Sequence, residues 1–214
     1  MAKVTVLFDG YSKKLDDSTM DANCTCTLIR AEKNIIVDTM TAWDGEKIIA
    51  ALAAEDLKPE DIDYVVCTHS HADHIGNNNL FLKAEHIVGL CVHRETIFFE
   101  RDLKKDDYRL CEGVKLTATP GHTSEDVSVV VEAKIDEESV RVVVTGDLFE
   151  REDDVEDPSL WRELGDYELR NVQAQMRKRM LDLADYIVPG HGPMFRVTDI
   201  DSGKNDTNKN VRLS

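Results

Sequence analysis

Apolar residues fall in short bursts along this chain, separated by polar turns, and the bursts are rich in Val, Ile and Thr. Branched side chains in such runs suit pleated, half-buried strands. The pattern predicts strands at Val4–Phe8, Thr25–Arg30, Ile35–Asp38, Val65–Thr68, Ile87–Gly89, Val114–Thr119, Val127–Val131 and Val142–Thr145. Ala31–Asn34 and Asp136–Ser139 read as hairpin turns. Two segments change period. Between Asp44 and Glu55, residues Ile48, Ile49, Leu52 and Ala53 recur at helical spacing, and Pro59 closes the segment. From Asp166 to Ala184 the stripe is Leu169, Val172, Met176, Met180 and Leu183. Strands followed by a helix, twice over, predict an α/β protein with two sheets face to face and helices outside, a four-layer αββα sandwich. Residues 1–198 are read as one folded domain, and 199–214, polar with almost no apolar residue, as a disordered tail. Ile97-Phe98-Phe99 is assigned to core filling, with a lid or substrate contact as the alternative.

Charge narrows the partners. The 42 Asp and Glu outnumber the 26 Lys and Arg, giving a net charge of −16. Such a surface repels phosphate backbones and anionic lipid, although a local basic channel or a cationic metal would override it. No window approaches the ~18 apolar residues of a membrane span, and the amino end does not look like a secretory signal. Five cysteines without an export signal suggest free thiols in a reducing compartment, the cytosol. Cys24 and Cys26 could bind metal as Cys-x-Cys, but strand alternation puts both on one face, and core packing is the preferred reading. Cys67 is expected to be buried.

The strongest chemical signal is Thr68-His69-Ser70-His71-Ala72-Asp73-His74, which follows directly on the apolar run Tyr64–Cys67. Three imidazoles and a carboxylate at a strand end can converge on a cation, and these donors suit zinc and neighbouring first-row metals. Three further strands run out into ligand-bearing turns: Thr119-Pro120-Gly121-His122, Thr145-Gly146-Asp147 and Val188-Pro189-Gly190-His191-Gly192. A glycine precedes each ligand, where a Cβ would obstruct a sharp turn. Any one of these is a weak signal, but together the motifs use five of the seven histidines. His86 and His93 match no motif and are read as ordinary histidines.

In that order the motifs resemble the metallo-β-lactamase superfamily, nearest its glyoxalase II-like branch, over nearly the whole chain to about Val197. The resemblance implies a catalytic domain holding two divalent cations, zinc foremost, with iron or manganese also suited. One would be held by His69, His71 and His122, the other by Asp73, His74 and His191, with Asp147 bridging; Asp73 and Asp147 are the carboxylates assigned to catalysis. Two such cations lower the pKa of a shared water and supply hydroxide at neutral pH. Asp38 matches a position that supports the ligands by hydrogen bonding, although Thr39-Met40 stands where the family often has Thr-Gly. Asp147, rather than cysteine, argues against an authentic β-lactamase.

A closer likeness within the branch rests on Thr145–Arg151, Asp126–Val131, Arg177-Lys178-Arg179 and Pro189–Val197. It implies an endoribonuclease acting at the 3′ end of histone pre-mRNA, with a nuclear share of the protein. Arg177 and Lys178 are the candidate contacts to an anionic substrate, set against the plain reading of a solvated helix face. The short interval between Asp147 and His191 leaves no room for an RNA-clamping insertion. The competing readings are a glyoxalase II-like thioesterase or small-ester hydrolase, and a metal or redox sensor with little catalysis. The chain length leaves room for a homodimer that covers the cleft edge.

Overall fold

The two faces of each central strand are packed into different cores, so the period of two in the sequence becomes a layered molecule. The computed structural model describes residues 1–197; the tail expectation for 199–214 lies outside the described residues. In chain order the strands are β1 (Lys3–Phe8), β2 (Tyr11–Lys14), β3 (Met20–Asn23), β4 (Cys26–Arg30) and β5 (Asn34–Val37). They continue with β6 (Tyr64–Cys67), β7 (Glu85–Val88), β8 (Cys91–Arg94), β9 (Ile97–Phe99) and β10 (Tyr108–Cys111). The last five are β11 (Val114–Ala118), β12 (Val127–Ile135), β13 (Glu138–Gly146), β14 (Tyr186–Pro189) and β15 (Phe195–Arg196). The helices are α1 (Gly45–Ala54), α2 (Ser159–Arg162) and α3 (Arg170–Leu183).

One sheet has the order β1-β4-β5-β6-β7-β8-β9 and the other β10-β11-β12-β13-β14-β15, while β2 and β3 form a separate hairpin. On β5, Ile35 and Val37 face the space between the sheets, and Ile36 faces α1. On β13, Val142 and Val144 face the same inner space, and Val143 faces α3. The inner core joins Ile29, Val66 and Ile87 of the first sheet to Leu116, Val129 and Val188 of the second. Helix α1 covers the outer face of the first sheet through Ile48 and Leu52, and α3 covers the second through Met180, with Ala184 just past its end. This is the αββα sandwich that the pattern predicts. Both hairpin turns also form: Arg30 pairs with Asn34, and Asp136 and Glu137 take positive φ between β12 and β13, the twist that a tight hairpin requires.

Two expectations are corrected. Ile97 and Phe98 do not fill the core: they lie on the edge strand β9, with Phe98 67% exposed. The apolar triplet carries no sign that its strand has only one neighbour. The stripe of α3 is also displaced. Gln173, Arg177 and Met180 are its buried residues, whereas Val172 and Met176 are half-buried. The helix is rotated so that two polar side chains meet the backbone of the second sheet's loops.

Truncating an inner-core residue should therefore cost far more than truncating the exposed edge. Leu116→Ala should lose about 2–5 kcal/mol of unfolding free energy, and Phe98→Ala should stay within about 0.5 kcal/mol of the parent. Urea denaturation of both variants measures the contrast.

Candidate metal centre

Strands β6, β11, β13 and β14 end on the same side of the sandwich, and the residues after each strand are those singled out by motif. β6 leads into His69, His71, Asp73 and His74, β11 into His122, β13 into Asp147, and β14 into His191. Two glycines make the approach possible. Gly146 has φ +53°, and a Cβ there would strike Thr68 Oγ1; a Cβ on Gly190 would strike Asp147 Oδ1.

Asp147 lies at the middle, 5% exposed. Its Oδ2 is 3.3 Å from His191 Nε2, 3.4 Å from His122 Nε2 and 3.6 Å from His69 Nε2, and its Oδ1 is 3.2 Å from His74 Nε2. His71 Nδ1 stands 3.1 Å from His122 Nε2. Asp73 Oδ2 lies 3.8 Å from both His74 Nε2 and His191 Nε2. The seven side chains thus fall into two adjacent groups: His69, His71, His122 and Asp147 on one side, and Asp73, His74 and His191 on the other.

The rings are held from behind. His191 Nδ1 donates to the carbonyls of Asn23 and Tyr11, at 3.1 and 3.2 Å. His74 Nδ1 meets Asp38 Oδ2 at 3.0 Å, and Thr68 Oγ1 lies 3.2 Å from His69 Nδ1. With Nδ1 of His74 and His191 engaged, each presents Nε2 to the centre, the arrangement by which an outer partner fixes a ligand's tautomer. Asp38 also accepts from the Thr68 amide at 2.7 Å. It reaches this position in a left-handed conformation, φ 58°, as does Met40, φ 56°. The latter is where a glycine would sit without strain.

A cation fits these donors. His69 Nε2 and Asp147 Oδ1 are buried without a hydrogen-bond partner, a situation that folded proteins rarely tolerate. Burial pushes His69 down to about 2, and the charge on His74 adds to the effect. Burial also opposes charge on His191 and His74, but Asp147 outweighs it, raising His191 to about 9 and His74 well above the usual imidazole value. In the metal-free protein, protons on these two rings are what balance Asp147.

Several residues take roles that sequence reasoning missed or misassigned. Glu150 is buried beside Asp147 and His191, and burial, reinforced by Asp147, raises its carboxyl to about 8. Asp126 accepts from the Thr123 amide at 2.8 Å, tying down the turn that carries His122. Both lie in segments that carry the closer likeness, but nothing in the sequence marks either as buried, because an acid at a loop position is ordinarily solvated. Arg177 is a correction: it is buried, its guanidinium engaged by Asp154, so it is not free to contact substrate. Lys178 is exposed and paired with Asp182 at 3.0 Å. Cys24, Cys26 and Cys67 are free, buried thiols, and burial pushes all three thiols up. His86 and His93 face each other across β7 and β8, away from the centre. No helix among the described residues is long and apolar enough to cross a membrane.

Residues 20–191 match the sequence profile of the metallo-β-lactamase superfamily. Metallo-β-lactamase domain-containing protein 1 of Xenopus laevis is 39% identical, over 91% of this chain and 81% of that protein. Its Homo sapiens counterpart is 41% identical over 76% of this chain, which spans only 59% of the human protein's length. Among solved structures, an N-acyl homoserine lactone hydrolase with the product N-hexanoyl-L-homoserine at its catalytic metal centre shares the fold. It superposes with a TM-score of 0.59 at 18% identity, covering 89% of this chain and 92% of that one.

Metal binding should be coupled to proton release. His191 and His74 have raised pKa values in the metal-free protein, so at neutral pH a metal must displace their protons. Affinity should rise by roughly tenfold per pH unit for each proton displaced, and His191's share should level off above about pH 9. Titration calorimetry with zinc at pH 7, in buffers of different ionisation enthalpy, should register this release. Heats identical across buffers would contradict it.

Proposed function

The chain belongs to the metallo-β-lactamase superfamily, a family of metal-dependent hydrolases, and from that premise we propose that it is a two-metal endoribonuclease. The convergence of five imidazoles and two carboxylates, all of them buried except the exposed His71 and half-buried Asp73, carries the hydrolase part of this reading. RNA as the substrate, with histone pre-mRNA 3′ ends as the target, is what the resemblance carried by Thr145–Arg151, Asp126–Val131, Arg177-Lys178-Arg179 and Pro189–Val197 implies.

In this reading His69, His71 and His122 would hold one cation and Asp73, His74 and His191 the other, with Asp147 available to both. When bound, the pair acidifies water and offsets the charge that develops on the leaving oxygen. The protein's own contribution is orientation. Asp38, Thr68 and the carbonyls of Tyr11 and Asn23 hold imidazoles with their free nitrogens toward the centre. Asp73 is the more open of the two carboxylates, its side chain 22% exposed. That exposure leaves it open to solvent and suited to accept the proton of an attacking water. That attack forms one P–O bond while the bond to the leaving ribose oxygen breaks, and the leaving oxygen takes up a proton.

With a net charge of −16 and Arg177 engaged elsewhere, RNA affinity would rest largely on the cations and would fall steeply with salt. A second reading, hydrolysis of a small ester, lactone or thioester, is favoured by the hairpin of β2 and β3. Its Tyr11 carbonyl touches His191, and it exposes Tyr11, Leu15 and Met20, an apolar edge suited to an acyl chain.

Asp147→Asn should lower turnover by roughly a hundredfold or more, since even outer partners of metal ligands cost 10–100-fold. Its melting transition should remain cooperative. One repurified preparation, assayed on single-stranded RNA and on a glutathione thioester, separates the two readings. RNA cleavage that disappears in His69→Ala supports the nuclease. Cleavage that persists in His69→Ala assigns it to a contaminant, and thioester turnover without RNA cleavage replaces the nuclease with the second reading.

A further inference from the structure

Arg177 was singled out by sequence as a surface cation, yet it lies 5% exposed on the inner face of α3. Its Nη1 donates to the Leu148 carbonyl at 2.7 Å and to Asp154 Oδ2 at 3.1 Å. Its Nη2 donates to Asp154 Oδ1 at 2.7 Å and to the Asp154 carbonyl at 2.8 Å. The guanidinium plane is closed in by aromatic rings, its central carbon 4.0 Å from the Phe149 centroid and 4.9 Å from that of Trp161. Asp154 is itself fully buried. Such a pair brings little net stability relative to apolar residues, because desolvation cancels most of the attraction. Its consequence here is geometric.

The groups it touches lead to the metal centre by two short routes. Leu148, whose carbonyl Arg177 holds, is the residue after Asp147. Asp154 Oδ2 also accepts from the Glu150 amide at 2.6 Å, and the Glu150 carbonyl accepts from the His191 amide at 2.8 Å. The Gly190 amide meets the Phe149 carbonyl at 2.9 Å. The segment Asp147–Glu150 is thus held between Arg177 and Asp154 on one side and the His191 turn on the other.

We propose that Arg177 and Asp154 form a positioning pair that sets the spacing of Asp147 and His191, and through them the affinity and coordination of the metals. The proposal rests on the assignment of Asp147 and His191 as ligands. It requires the forked guanidinium specifically. A lysine could keep the charge but could not bridge a carbonyl and both carboxylate oxygens.

The test compares the full chain with Arg177→Lys and Asp154→Asn, using Leu52→Ala, which lies in the opposite helical layer, as a control for lost stability. Each protein is stripped of metal and titrated with zinc and with cobalt(II), and the visible cobalt spectrum is recorded. Both pair variants should bind the weaker metal about 10–100-fold less tightly, the range seen for outer partners of ligands, and should show a shifted cobalt spectrum. Leu52→Ala should melt at a lower temperature with affinities and spectrum unchanged. Unaltered affinity and spectrum in a folded Arg177→Lys protein overturns the proposal, as does a loss in Leu52→Ala equal to that in the pair variants. If the parent chain itself binds no metal, it is the ligand assignment that fails.

Discussion

A carboxylate surrounded by imidazole nitrogens in a water-poor site has to be balanced by positive charge. That requirement governs the region around Asp147, where four histidine Nε2 atoms lie within 3.6 Å of one carboxylate. Without a metal, protons on His74 and His191 provide the balance. Divalent cations would provide the same balance, and would satisfy the buried His69 Nε2 and Asp147 Oδ1 as well.

The sandwich supplies the rigidity that such crowding needs. β6 belongs to one sheet and β11, β13 and β14 to the other, so the centre straddles the seam between the sheets. Any slip of one layer against the other would pull His69–His74 away from Asp147. The branched side chains packed in the seam resist that slip. The hairpin of β2 and β3 and helix α3 then hold the loops from outside, the first through the Tyr11 and Asn23 carbonyls on His191. The second acts through Gln173, against which Gly121 packs, and through Arg177.

Much of this was legible because strands buried on both faces announce themselves as Val and Ile runs, and because the candidate ligands follow those runs directly. Strands β2, β3, β8, β10 and β15 left no such trace. They are short or lie near sheet edges, and polar residues on them meet water. Ile97-Phe98-Phe99 misled in the opposite sense, since an apolar run does not reveal that its strand has one neighbour. Arg177 misled because a helical stripe is usually read from its apolar members. Helix α3 instead turns Gln173 and Arg177 inward, toward backbone carbonyls of the loops that follow β13. The burial of Glu150 and Asp126 was illegible for a related reason: the burial of an acid is a property of the assembled loops.

The proposed chemistry requires two cations that share Asp147. X-ray absorption of the purified protein at the metal edge, together with elemental analysis, tests this directly. The predicted outcome is two metals per chain with a metal–metal vector of ~3.5–4 Å and imidazole scattering at both ions. A single metal per chain, or two with no short vector between them, would contradict it.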